Sequence, residues 1–106
     1  MNAQFKKGVL DLCVLALLRK KDAYGYELAE MVSASIQIAE GTLYPLLRKL
    51  KADGLCETYL SDVSGGPPRK YYRLTDAGRR AEEELRREWL AFTDSVRALM
   101  EDTEHE

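Results

Sequence analysis

The stretch Glu40-Gly41-Thr42-Leu43-Tyr44-Pro45-Leu46-Leu47-Arg48-Lys49-Leu50-Lys51-Ala52-Asp53-Gly54-Leu55 decides the fold. Leu43, Leu46, Leu47 and Leu50 fall at i, i+3, i+4 and i+7, one apolar stripe of an α-helix. Tyr44, Arg48 and Lys51 make a second stripe beside it, with phenol, guanidinium and ammonium donors suited to phosphates and base edges. The spacing predicts a helix from Thr42 to Asp53. Thr42 is the expected cap, and Pro45 is then tolerable because first-turn amides have no helical acceptor. Gly54 ends the helix as a residue that accepts positive φ. Taken alone, the second stripe fits a solvated face as well as it fits a recognition surface. The flanking segments separate the two.

On the N-terminal side, residues 4–20 read as a helix that is apolar almost all round, because Val9 to Leu18 is interrupted only by Asp11. A helix of that kind is covered on more than one side. Asp22 is placed to cap a second helix, 23–35, with Leu28, Met31, Val32 and Ser35 on one face. On the C-terminal side the period changes. Leu55–Leu60 and Arg69–Leu74 are rich in β-compatible residues and are separated by the turn-forming Ser61-Asp62-Val63-Ser64-Gly65-Gly66-Pro67-Pro68, which predicts a hairpin with a long tip. Tyr71 and Tyr72 alternate faces, so one of them is expected in the core. Thr75 and Asp76 then open a helix over 76–102, the hydroxyl as cap and the carboxylate at the positive end of the dipole. Its seam of Ala77, Ala81, Leu85, Trp89, Phe92, Val96 and Leu99 suits packing against another helix. At ~40 Å it is longer than a small domain can cover. Residues 101–106 read as an acidic, frayed tail.

The 106 residues carry 45% apolar and 32% charged side chains with a net charge of −2, a composition for one folded domain. The average hides an asymmetry. Residues 1–75 hold 11 Lys/Arg and 8 Asp/Glu; residues 76–106 hold 5 and 10. The basic part is free to face a polyanion while the acidic part stays away. Cys13 and Cys56 lie in apolar surroundings and read as buried, reduced thiols, with a disulfide between them as the weaker alternative. With His105 as the single histidine, no metal site and no cofactor is expected. No apolar run approaches the ~20 residues of a membrane span, and no signal-peptide pattern is present. A cytoplasmic location is expected.

Three helices followed by a hairpin are the elements of a winged helix-turn-helix, with the third helix in the major groove. The motifs make the reading specific. Asp22-Ala23-Tyr24-Gly25-Tyr26-Glu27-Leu28, Glu40-Gly41-Thr42-Leu43-Tyr44-Pro45-Leu46-Leu47, and Gly65-Gly66-Pro67-Pro68-Arg69-Lys70-Tyr71-Tyr72-Arg73-Leu74-Thr75 with Ala77-Gly78 resemble the signature of the PadR family of transcriptional regulators. The resemblance covers residues 5–100 and its short tail resembles the subgroup with a single C-terminal helix. It implies a mostly α fold with a small β-hairpin: a winged helix-turn-helix over residues 1–75 and a long dimerisation helix with the acidic tail over 76–106. It also implies a homodimer through the first helix (4–20) and the last, and a repressor acting on inverted repeats in double-stranded DNA. Its DNA contacts carry over to Tyr24 and Tyr26; to Thr42, Tyr44, Arg48 and Lys51; and to Arg69 and Lys70. Two prolines stand in the wing where one is commoner.

Some short PadR members that this chain resembles have a tryptophan that lines a cavity between subunits and stacks flat aromatic ligands. Trp89 with Phe92 takes that position, and Leu12 and Ala16 are the matching wall residues, with Glu88 near the mouth. The competing reading of Trp89 is a large aromatic packed in a dimer core. Arg69 and Lys70 have a competing reading too, as charges that guard an edge strand. A winged-helix dimer that binds proteins and not DNA is the alternative function; it requires that no cationic surface join the third helix to the wing. Nothing supports an enzyme: there is no nucleophile pattern and no phosphate loop. Glu82-Glu83-Glu84 reads as a solvated helix face.

Overall fold

The apolar periodicities resolve into four helices and three short strands. The computed structural model describes residues 3–39, 41–63 and 65–104, with side chains described for 8–39, 41–63 and 65–101. In chain order the elements are α1 (Ala3–Lys20), β1 (Ala23–Tyr24), α2 (Gly25–Ser33), α3 (Leu43–Ala52), β2 (Cys56–Ser61), β3 (Arg69–Leu74) and α4 (Asp76–Glu104). The fold is mostly helical with a small antiparallel sheet: a winged helix-turn-helix extended by one long helix.

The hairpin is present with the register Cys56↔Leu74 to Ser61↔Arg69. The sheet has a third strand that the hairpin pattern did not include. β1 pairs antiparallel with β3, Ala23 opposite Tyr72 and Tyr24 opposite Tyr71, giving the order β1-β3-β2. Two cross-strand rows result. Ala23, Tyr72 and Thr58 face the helices. Tyr24, Tyr71 and Tyr59 line the other face, with Tyr24 edge-on to Tyr71 at 5.4 Å and Tyr59 stacked on Tyr71 at 5.7 Å. As expected, one of the tyrosine pair, Tyr72, joins the core; Tyr71 is also buried, but on the opposite face, beneath Tyr24 and Tyr59.

Leu10, Val14, Leu15 and Leu18 of α1, Leu28 and Val32 of α2, and Leu43, Leu47 and Leu50 of α3 meet Cys56, Tyr72 and Leu74 of the sheet in one core. Each such leucine contributes about 2 kcal/mol relative to exposure. The α3 stripe behaves as the periodicity requires, with Leu46 half-buried and Tyr44, Arg48 and Lys51 exposed. Gly54 closes α3 at φ +76°, where a side chain would be strained.

The caps differ from expectation at two helices. Tyr24, in extended backbone, precedes α2 and makes no side-chain cap; Asp22 instead accepts a 2.6 Å hydrogen bond from the Tyr59 hydroxyl. Thr42 is at the N-cap of α3, but its backbone is already helical and its hydroxyl makes no cap bond. At α4 the expected cap forms: the Gly78 amide donates to Thr75 Oγ1 at 3.0 Å, and that hydroxyl donates to the Gly54 carbonyl. α4 continues as helix through Glu104, two residues past the expected end at 102; residues 105 and 106 of the acidic tail lie outside the described residues. Both cysteines are free, Cys56 buried and Cys13 half-buried.

Glu82 corrects the reading of the acidic triplet. It is fully buried, while Glu83 and Glu84 are exposed. Arg19, at the end of α1, donates to one Glu82 oxygen at 2.6 Å, and Arg86 donates to the other through Nε at 2.8 Å and through Nη2. Burial alone would push the Glu82 carboxyl up; the bonds and charges of Arg86 and Arg19 outweigh it and hold the group below the usual carboxylate range. A group depressed in the fold adds stability above its unfolded pKa and loses it as pH falls through the folded value. Glu82→Gln is thus expected to cost ~2 kcal/mol at neutral pH. That is less than a fully enclosed pair because the arginines reach solvent. In denaturant titrations the gap to the parent should close in acid; an equal gap at neutral and acid pH would contradict this.

The molecule measures 60 × 28 × 21 Å, drawn out by α4. Beyond Trp89 that helix exposes Leu90, Phe92, Val96, Leu99 and Met100. Leu12, Cys13 and Ala16 on α1 are half-buried.

Candidate nucleic-acid interface

Gly25 opens α2 without a side chain, and the Tyr44 ring uses the space. A Cβ built on Gly25 would lie 3.1 Å from Tyr44 Cε1. The phenol is thereby laid across the first turn of α2, 42% exposed. One turn further along α3, Arg48 faces the same way. From the wing side, Arg69 extends its guanidinium 4.7 Å above the Tyr24 ring, and the Lys70 ammonium stands 6.0 Å from the Tyr72 ring. Contacts of this kind hold a cation over an aromatic face while leaving its outer side open to an anion.

Tyr24, Tyr26, Tyr44, Arg48, Arg69 and Lys70 line one concavity of about 400 Å³, together with Gly25 and Tyr72. Six of the eight residues expected from sequence thus meet in one place. Thr42 and Lys51 are exposed on α3 outside it. Tyr72, not among those eight, belongs to the wall: burial pushes its phenol pKa up, with the Arg48 charge opposing, so it stays a neutral donor. Tyr26 is more than half exposed, but its hydroxyl donates to Glu30, which raises the phenol pKa and commits the donor beside an acid. The cup therefore gathers three cations and several phenol donors where α2, α3 and the wing converge.

A second concavity, of about 390 Å³, runs between α1 and α4. Gly8, Val9, Leu12, Leu85, Glu88, Trp89 and Phe92 line it. Trp89 and Phe92 lie 6.2 Å apart at a 35° tilt. Leu12 is in this groove as expected, and Glu88 is at its edge; Ala16, one turn along α1, is not. Among the described residues no helix is long and apolar enough to cross a membrane. Among the same residues no cluster of His, Cys, Asp or Glu is placed to hold a metal ion; His105 lies outside them.

Residues 14–84 match the model of the transcriptional regulator PadR-like family. The chain belongs to this family. It is 36% identical over 95 residues to the transcriptional regulator Rv3488 of Mycobacterium tuberculosis, covering 82% of this chain and 88% of that one. Among solved structures it is similar to a PadR-like transcriptional regulator from Bacillus cereus, with a TM-score of 0.85, 36% identity and coverage of 92% and 97% of the two chains. A Streptococcus transcriptional regulator superposes with a TM-score of 0.87 at 32% identity, covering 93% of this chain and 99% of that one. As a PadR-family member the chain is a transcriptional regulator and not an enzyme. The elements that match the family include both the helix-turn-helix and the wing that build the cationic cup.

Proposed function

We propose that this chain is a homodimeric repressor that reads an inverted-repeat operator and is released by a planar aromatic ligand. The convergence of Tyr44, Arg48, Arg69 and Lys70 in one concavity carries the DNA part of that reading. With α3 in the major groove, Arg48 and Lys51 reach base edges or phosphates, Tyr44 and Tyr24 reach the strand behind, and Arg69 and Lys70 reach across to the next phosphate or the minor groove. The cationic continuity from α3 to the wing is what a pure protein-interaction module lacks, so it favours DNA over that alternative. The division of labour follows: residues 1–75 hold the reader, and α1 with α4 joins two copies. The half-buried outer side of α1 and the exposed apolar side chains of α4 support that pairing, since both gain cover from a second copy. A DNA partner fits a place of work in the cytoplasm.

The groove beside Trp89 supports the ligand part. Two copies would bring two indoles near one axis, where a flat ring sits between them and the Glu88 carboxylate favours a cation. Tyr44→Ala tests the reader. It removes a charge-assisted hydrogen bond to phosphate, so the affinity for a duplex recovered from a random library should fall by roughly tenfold. Sedimentation should show the same assembly as the parent, because Tyr44 lines the cup of α2, α3 and the wing and not the groove between α1 and α4. Equal titration curves for parent and variant at fixed salt would remove Tyr44 from the interface.

A further inference from the structure

The wing carries an apolar feature that cations do not explain. Leu60 and Val63 are 73% and 79% exposed, and Pro67 and Pro68 lie just across the tip. Leu60 pairs with Lys70, so by strand alternation its side chain shares the sheet face of Lys70 and Tyr72, both of which line the cationic cup. It projects beyond the cup on the same side. Residues 60–68 hold no Lys or Arg and one acid, Asp62. Phosphate attraction therefore cannot seat the tip; it ends at Arg69 and Lys70. The apolar surface next to a contacted phosphate is the sugar wall of the minor groove, where proteins insert leucine, methionine or proline.

We propose that Leu60, with Val63 and the two prolines, is an apolar wedge that rests in the minor groove beside the site of α3 and favours A·T pairs there. The inference rests on the DNA reading above and deepens its wing half. A·T preference follows because the guanine N2 amine alone adds a bulky, hydrated donor to the minor-groove floor.

The test uses the full chain and a duplex recovered from a random library, with the step under the wing built as A·T, I·C or G·C. Inosine·cytosine matches A·T in the minor groove and G·C in the major groove. The parent is expected to bind A·T and I·C alike and G·C roughly tenfold more weakly. Leu60→Ser should lose most of that discrimination and bind A·T roughly fivefold more weakly. Its salt slope should stay that of the parent, whereas Lys70→Ala lowers the slope by about 1. Leu60 is exposed, so equal melting curves are expected and exclude misfolding. A Leu60→Ser chain that keeps the parent's affinity and discrimination overturns the wedge while leaving the DNA reading intact. A parent that binds no duplex overturns both.

Discussion

Gly78→Ala is expected to destabilise the fold by about 2 kcal/mol. A Cβ there would lie 2.0 Å from the Leu55 carbonyl oxygen and 2.7 Å from Leu74 Cδ1. The leucine tip can rotate away, but the carbonyl belongs to the backbone that joins α3 to β2, and it also accepts the Thr75 amide at 3.2 Å. Relief requires α4 to lift from the sheet, which disturbs the cap made by Thr75. Overpacking of this kind costs about 1–3 kcal/mol or more, against which alanine's better helix propensity returns at most about 1. A net loss of this size in a chain of this length lowers Tm by roughly 8–16 °C at matched protein concentration. Operator affinity should fall with it, because the same backbone positions α3. A variant melting within about 2 °C of the parent would show that α4 is not seated as described.

Arg48→Glu should have the largest effect on DNA binding. The reversal puts a carboxylate into the cup shared with Arg69 and Lys70. On the proposed reading it removes one phosphate or base contact and adds a repulsion, so affinity should drop about 100-fold at physiological salt and the salt slope by about 2. Arg48 is exposed, and exposed substitutions usually move stability by no more than about 0.5 kcal/mol. Unchanged melting with binding nearly abolished is the expected pair of results. Binding retained at moderate salt would take Arg48 out of the interface.

Much of this arrangement was legible residue by residue. Period 3.6 in Leu43, Leu47 and Leu50 placed α3 and turned Tyr44 and Arg48 outward. Period 2 placed the hairpin, and Thr75 marked the start of α4. What escaped depends on contacts between distant segments. Two residues, Ala23 and Tyr24, form a strand only because β3 offers an unpaired edge, and no local pattern encodes that. The same pairing covers Tyr71, so both tyrosines of the pair are enclosed. Asp22 fits a cap by local chemistry, yet the Tyr59 hydroxyl, 37 positions away, takes its carboxylate.

Glu82 did leave a signal. It follows Gly78 by four residues and precedes Leu85 and Trp89 by three and seven, which puts it on the packed stripe of α4. Its acidic neighbours masked that periodicity. Ala16 shares a broad face of α1 with Leu12, but one more turn carries it past the groove. The cup itself could be anticipated as a set of residues, but not its Tyr72 wall, because burial and access coexist only at the edge where the sheet meets α3.

The most direct measurement is selection of bound duplexes from a random library by the full-length chain, with the Arg48→Ala, Lys70→Ala double variant run in parallel. If two copies pair as proposed, their α3 helices should enrich an inverted repeat whose half-sites are about one helical turn, or a multiple of it, apart. The double variant should fail to enrich it. A pool with no recurring motif after repeated rounds, or the same motif recovered equally by both chains, would contradict the assignment of this face to operator recognition.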